Sequence, residues 1–215
     1  MVNIALNLIK IGRFIMSKKT IVLLTALIFG MGVIFVSCAG MQVKPTAANF
    51  KAPKIEIEMV DVPQFDGYWY YSGKIKPTKG KAGNHGAPLA LAVTLNITNP
   101  NPYPVLLDGY KFGIVFDKEF AMVTINGYDT QWIPAGKTNQ LRATTMITTR
   151  SALLNLGVTS GYKLKAKGIN MWQAMEKWWT TIGDMAFPIS VEEGAFTFSA
   201  NGMSKTIPFA GTYKP

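Results

Sequence analysis

Leu89-Ala90-Leu91-Ala92-Val93-Thr94-Leu95-Asn96-Ile97-Thr98-Asn99-Pro100-Asn101 is the stretch that decides the fold. Leu89, Leu91, Val93, Leu95 and Ile97 occupy every second position, with Ala90, Ala92, Thr94, Asn96 and Thr98 between them. Side chains of an extended chain alternate between its two faces, so this spacing predicts a β-strand with one large apolar face. The strand must end at Asn99. Pro100, Pro102 and Pro104 bring no amide hydrogen to a ladder, and asparagine closes turns through its own side chain.

The same period extends in both directions. Lys54–Val62 sets Ile55, Ile57 and Met59 against Glu56 and Glu58, and the aromatic run Gly67–Ile75 reads as a further strand. A Gly/Lys/Pro-rich loop, Lys76–Pro88, precedes the deciding stretch. After it, Val105–Phe116 places Tyr110, Phe112, Ile114 and Phe116 on one face, and Glu119–Tyr128 does so with Ala121, Val123 and Ile125. Trp132–Gly136 is a turn, and Thr138–Thr148 alternates through Leu141, Ala143, Thr145 and Ile147. Ile189–Glu192, Ala195–Ala200 and Lys205–Tyr213 close the chain around Asn201-Gly202, a strong hairpin signal. Short strands with turn signals at this spacing predict an all-β sandwich or barrel. Two segments break the period. Ser151–Leu156 reads as a single helical turn ended by Gly157, and Asn170–Ile182 carries Met171, Met175, Trp178, Trp179 and Ile182 on one helical stripe.

The amino-terminal region differs in kind. Thr20–Val36 (TIVLLTALIFGMGVIFV) is uncharged and follows Ser17-Lys18-Lys19, the order of a secretory signal peptide. Phe35-Val36-Ser37-Cys38-Ala39-Gly40 resembles the lipobox of bacterial lipoproteins, with Phe35 where leucine is usual. That resemblance implies cleavage before Cys38 and lipidation of its thiol and new amine, giving more than one acyl chain and stable anchoring. An uncleaved transmembrane anchor is the alternative, since about 17–20 apolar residues can just span a bilayer. Met16 makes a more conventional start than Met1. The expected organisation is a signal peptide over residues 1–37, a lipidated Cys38 with a tether over 38–53, and one domain over 54–215. Ala39, rather than aspartate, after the cysteine implies the periplasmic face of the outer membrane in a cell that has one.

The 215 residues carry 22 Lys and Arg against 12 Asp and Glu, a net charge of +10. Lys10, Arg13, Lys18 and Lys19 leave with the leader, so 18 basic residues remain against 12 acidic ones, a net +6. Weak attraction to anionic lipid follows, but no dense basic run suits a nucleic-acid backbone. One cysteine and one histidine, His85, build neither an internal disulfide nor a multi-histidine metal site. No metal or cofactor is expected.

Several segments, in order, resemble the LEA type 2 family, whose unit is the WHy (water stress and hypersensitive response) domain. They are Ile55–Val62, Val93–Asn101 with its Asn-Pro-Asn end, Leu107–Phe112, Ile133-Pro134-Ala135-Gly136, and the closing Gly194–Gly211 with Ile207-Pro208-Phe209. The resemblance covers about residues 52–215. It implies a Greek-key β-sandwich, all-β with one or two short helices, a stress or desiccation role, and no known active site. The long Lys76–Pro88 loop and a helical insertion at about Tyr162–Asp184 depart from a minimal domain.

Candidates for chemistry are few. His85 sits between Asn84 and Gly86 without a sequence-local partner, Glu56/Glu58 and Glu192/Glu193 read as solvated pairs, and Gly80–Gly83 lacks phosphate-loop spacing. Asn99 and Asn101 read as turn-closing residues. Trp172, Trp178, Trp179 and Lys177 are the candidate membrane or partner contact, although a helix capping the sandwich would take its tryptophans into the core. The expected function is a non-enzymatic, lipid-anchored envelope protein of LEA type 2 character, meeting anionic lipid or envelope proteins. A binding subunit of an envelope assembly, a carrier of an apolar ligand, and a hydrolase of envelope polymers are the alternatives.

Overall fold

The computed structural model describes residues 43–65 and 87–213. The expected strand at Gly67–Ile75 and nearly all of the Lys76–Pro88 loop lie outside them, as do the leader and Cys38. Among the described residues eight strands form two antiparallel sheets: β1 (Lys54–Phe65), β2 (Pro88–Thr98) and β6 (Thr138–Thr148) in one, and β4 (Phe120–Gly127), β3 (Val105–Phe116), β7 (Ile189–Ala200) and β8 (Met203–Tyr213) in the other, with the short β5 (Gln131–Ile133) also on β3. The β2–β6 and β3–β7 neighbours are distant in sequence, so the chain crosses between sheets as in a β-sandwich. The all-β sandwich expectation holds.

Leu89, Leu91, Val93, Leu95 and Ile97 are fully buried. They face the second sheet, where Phe112, Ile114, Phe116, Phe196 and Phe198 belong to the same core. Stacking of Tyr110, Phe112 and Phe196, with centroids about 6 Å apart, extends an aromatic row across β3 and β7. Pro63 and Pro208 stand on β1 and β8, which are edge strands, where a missing donor costs no ladder bond on the open side.

Bulges explain where alternation and structure part company. One extra residue on a strand shifts its side chains to the opposite face from there on. In β1 the register slips between Ile57 and Met59, so Val60 turns inward and Met59, expected in the core, is 41% exposed. In β3 a slip at Asp108 joins the odd-numbered Val105 and Leu107 to the even-numbered Tyr110, Phe112 and Ile114 on one apolar face. In β4 a slip at Met122 leaves Val123 and Ile125 on the core side but substitutes Phe120 for the expected Ala121. Glu192 and Glu193 form the bulge of β7, which makes one strand of the two segments Ile189–Glu192 and Ala195–Ala200. Asn201 and Gly202 both have positive φ, 50° and 78°, as a two-residue hairpin turn requires.

The strand registers define two poles. Thr98 pairs with Thr138 at one end of β2 and Pro88 with Thr148 at the other, eleven residues or roughly 34 Å apart. The first pole holds the Asn99–Pro104 corner, the Pro134–Lys137 turn and the Asn201-Gly202 hairpin. Here Asn99 and Asn101, both buried, form a closed polar knot. The Asn99 amide nitrogen Nδ2 donates to the carbonyls of Tyr103 (2.8 Å), Ile133 (3.0 Å) and Pro134 (3.2 Å). Its Oδ1 accepts from the backbone and the side-chain amide of Asn101 (3.0 and 2.9 Å). Asn101 in turn exchanges two 2.8 Å bonds with the backbone of Lys51, and the Tyr103 hydroxyl donates to Asn49. The chain ahead of β1 is thus fastened to this pole. Burial raises the pKa of the Tyr103 phenol that donates in this bond.

Replacing Asn99 with Ala would strip the carbonyls of Tyr103 and Ile133 of a buried donor, while that of Pro134 still accepts from the Lys137 amide. At about 1–3 kcal/mol for each buried group left unpaired, Asn99→Ala should lose at least about 2 kcal/mol in urea unfolding. A loss below about 0.5 kcal/mol would show that the knot is dispensable.

Candidate functional site

The second pole is helical. Among the described residues the expected one or two short helices become three: α1 (Thr149–Thr159), α2 (Gly161–Ala166) and α3 (Met171–Thr181), with a 3-10 turn at Ile182–Asp184. Thr148 and Ser151 start α1 by a reciprocal capping pair, and Asn170 caps α3 by accepting from the Trp172 amide at 2.8 Å. Gly157 does not end α1. The helix runs on to Thr159 because Ala152, Leu153 and Leu156 bury its inner side and Asn155 donates to the carbonyls of Ala121 and Met122. That packing outweighs the roughly 1 kcal/mol that glycine costs within a helix. The helical region is therefore longer than the expected 162–184 insertion and begins directly at the end of β6.

Helix α3 lays Met175, Trp178 and Trp179 on the open end of the sandwich, and the 3-10 turn adds Ile182. Trp178 is 1% exposed and packs against Phe116, Phe120 and Phe187, with centroids 5.2–6.5 Å away. Its indole nitrogen donates to Asp117 Oδ2 at 2.8 Å, and Lys177 Nζ reaches the same oxygen at 3.2 Å. Asp117 and Lys118 have positive φ (49° and 62°) in the turn between β3 and β4, which brings that carboxylate to the indole. Trp179 is fully buried and donates to the Ala87 carbonyl at 3.0 Å, tying α3 to the start of β2.

This separates the four candidate contact residues. Trp178 and Trp179 are core residues with satisfied indole nitrogens, so neither can meet a membrane or partner, and the contact role expected of them is corrected. Trp172 is 53% exposed, and Lys177 remains at the surface in its ion pair. Sequence reasoning did not single out the exposed apolar residues Leu154, Val158 and Tyr162 on the adjoining helices, nor Ile169 in the connection before α3. The i, i+4, i+8 spacing of Leu154, Val158 and Tyr162 was the available signal.

Nothing at this pole or elsewhere in the described residues assembles a catalytic constellation. Glu56 is paired with Lys54, Glu58 accepts from Gln140, and both lie exposed on the edge strand β1. Glu192 and Glu193 border an open groove of about 460 Å³ beside α1, which also meets Lys118, Lys163 and Asn155. No group of three or more His, Cys, Asp or Glu among the described residues is placed to hold a metal ion. No described helix is long and apolar enough to cross a membrane. Cys38, His85 and Gly80–Gly83 lie outside the described residues.

The described chain is thus an antiparallel β-sandwich with a helical cap. No family model matches it, and no curated protein matches its sequence. Solved structures with a similar course include a protein from Archaeoglobus fulgidus (9% identity, 74% of this chain and 94% of that one, TM-score 0.37). One from Bordetella pertussis shows 11% identity over 76% and 94% of the two chains, with a TM-score of 0.39. A protein from Arabidopsis thaliana, solved in solution, shows 12% identity over 81% and 93%, with a TM-score of 0.38. At these values the likenesses fix neither family nor function.

The tryptophans of α3 can be told apart by stability. Trp178→Ala should cost about 3–5 kcal/mol, as for other buried aromatic truncations, whereas Trp172→Ala should cost less than about 1 kcal/mol. Equal losses in denaturant unfolding would contradict this division of the helix.

Proposed function

We propose that this chain is a non-enzymatic, lipid-anchored protein of the cell envelope whose domain is of the LEA type 2 kind. The observation that carries the anchor is the uncharged run Thr20–Val36 leading into Phe35-Val36-Ser37-Cys38-Ala39-Gly40. The fold adds support. The described chain reaches β1 through Lys44–Lys51, a segment bonded at Asn49 and Lys51 to the asparagine pole. A pull on an amino-terminal anchor would be taken up there by hydrogen bonds rather than by the edge of β1.

The LEA type 2 reading is supported by a meeting of segments. Asn99, from the Asn-Pro-Asn segment, donates to the carbonyls of Ile133 and Pro134, from the Ile-Pro-Ala-Gly segment. Two stretches that carry the resemblance are therefore one structural unit. In this reading the protein sits on the periplasmic face of the outer membrane. It protects by weak, charge-assisted contact with lipid or neighbouring proteins as water is lost. A binding subunit of an envelope assembly is the second reading, favoured by the exposed apolar residues of the helical pole.

Cells fed a labelled fatty acid should yield labelled protein in the membrane fraction, and Cys38→Ser should abolish the label. Retention of label in that variant would remove the anchor reading. The purified protein should preserve a labile enzyme and anionic vesicles through drying better than an inert β-sandwich of similar charge. Protection no better than that control would remove the stress role.

A further inference from the structure

Helices α1 and α2 present a second face, away from the core. Leu154, Val158 and Tyr162 follow one another at four-residue intervals across the break at Ser160, and they are 66%, 87% and 70% exposed. Ile169 and Trp172 add exposed apolar surface where α2 gives way to α3. Gly157, Gly161, Lys165 and Ile169 line one open groove where the end of α1 meets this connection. Large side chains left in water at this density mark a contact surface rather than scattered exposure.

Charge identifies the occupant. The segment Thr149–Trp172 contains Arg150, Lys163, Lys165 and Lys167 and no Asp or Glu. Lys167 pairs with Glu119 at 2.6 Å, and Lys163 donates to the Glu119 carbonyl, while no described carboxylate pairs with Arg150, Lys163 or Lys165. A second copy of this chain docked through the same face would set these cations against each other. An anionic lipid surface satisfies both halves of the patch. Leucine and valine enter the acyl boundary, tyrosine and tryptophan favour the headgroup level, and long basic side chains reach phosphates.

We propose that the helical pole is a docking surface for an anionic lipid bilayer, with Leu154, Val158, Tyr162 and Trp172 entering the interface and Arg150 and Lys165 meeting headgroup phosphates. The surface lies at the opposite end of the strands from the asparagine pole, where the chain is fastened ahead of β1. With the lipid anchor proposed above, on which this step alone rests, docking on a bilayer other than its own would let the chain join the two.

The test uses the full chain reconstituted in phosphatidylcholine vesicles and offered acceptor vesicles with or without phosphatidylglycerol. Flotation with the phosphatidylcholine vesicles reports the anchor. Capture of acceptors, read by light scattering or lipid energy transfer, reports the docking. Capture should require phosphatidylglycerol and fall at least tenfold in Leu154→Asp/Val158→Asp and in Arg150→Glu/Lys165→Glu, all exposed positions. Tyr128→Asp and Trp132→Asp, also exposed but beside the β4–β5 connection, should capture as the parent does. Equal capture of neutral acceptors, or no difference between the two sets of variants, would overturn the proposal. If the chain does not float, the anchor reading fails. The same variants are then compared for direct sedimentation with phosphatidylglycerol vesicles, where loss confined to the helical-pole variants supports docking and no loss overturns it.

Discussion

The asparagine knot is the constraint on which the rest of this structure depends. Asn99 and Asn101 are buried where β2 must leave its sheet, and three prolines nearby leave that corner short of backbone donors. Two side-chain amides supply what the prolines cannot. They join the β2–β3 corner to the turn between β5 and β6 and to the segment ahead of β1. With the corner fixed, Leu89–Ile97 is held in one register against β6, and the apolar face of β2 meets the aromatic row of β3 and β7 without slippage.

The far end of the same strands is closed by different means. Trp178 and Trp179 fill the open end of the core, and each spends its one polar atom on a fixed acceptor, Asp117 or Ala87. Burying the inner side of these helices leaves the outer side of α1 and α2 apolar and basic. A polar knot at one pole and a tryptophan plug at the other make the sandwich a stiff body with two different ends. The chain ahead of β1 is fastened at the first of these ends, and the proposed bilayer-docking surface occupies the second. The functional account draws on that separation rather than on any cleft.

The fold was legible because β2 and β6 obey the period of two along their whole length, and because Asn201-Gly202 can close only a tight hairpin. The Asn-Pro-Asn end was also read correctly as a turn, although its reach to Lys51, fifty residues earlier, is a tertiary fact that no local pattern contains. Alternation failed at bulges. An inserted residue at Asp108 or Met122 shifts the facing without changing composition, and Met59 looked like core for this reason. Gly157 read as a stop because propensity ignores the packing that carries α1 past it. The contact surface was half legible. Tryptophan at helical spacing is compatible with burial and with membrane contact, and only the fold shows that Trp178 and Trp179 face inward while Leu154, Val158 and Tyr162 face out.

Native-state hydrogen exchange, resolved by residue, tests the central claim most directly. The knot fixes the amides of Lys51, Asn99, Asn101 and Gly136, all of which lie outside regular strands. They should exchange as slowly as those of Val93 and Leu95 at the centre of β2, opening only with global unfolding. Exchange of these four amides at the rate of ordinary turns, while β2 stays protected, would contradict the account.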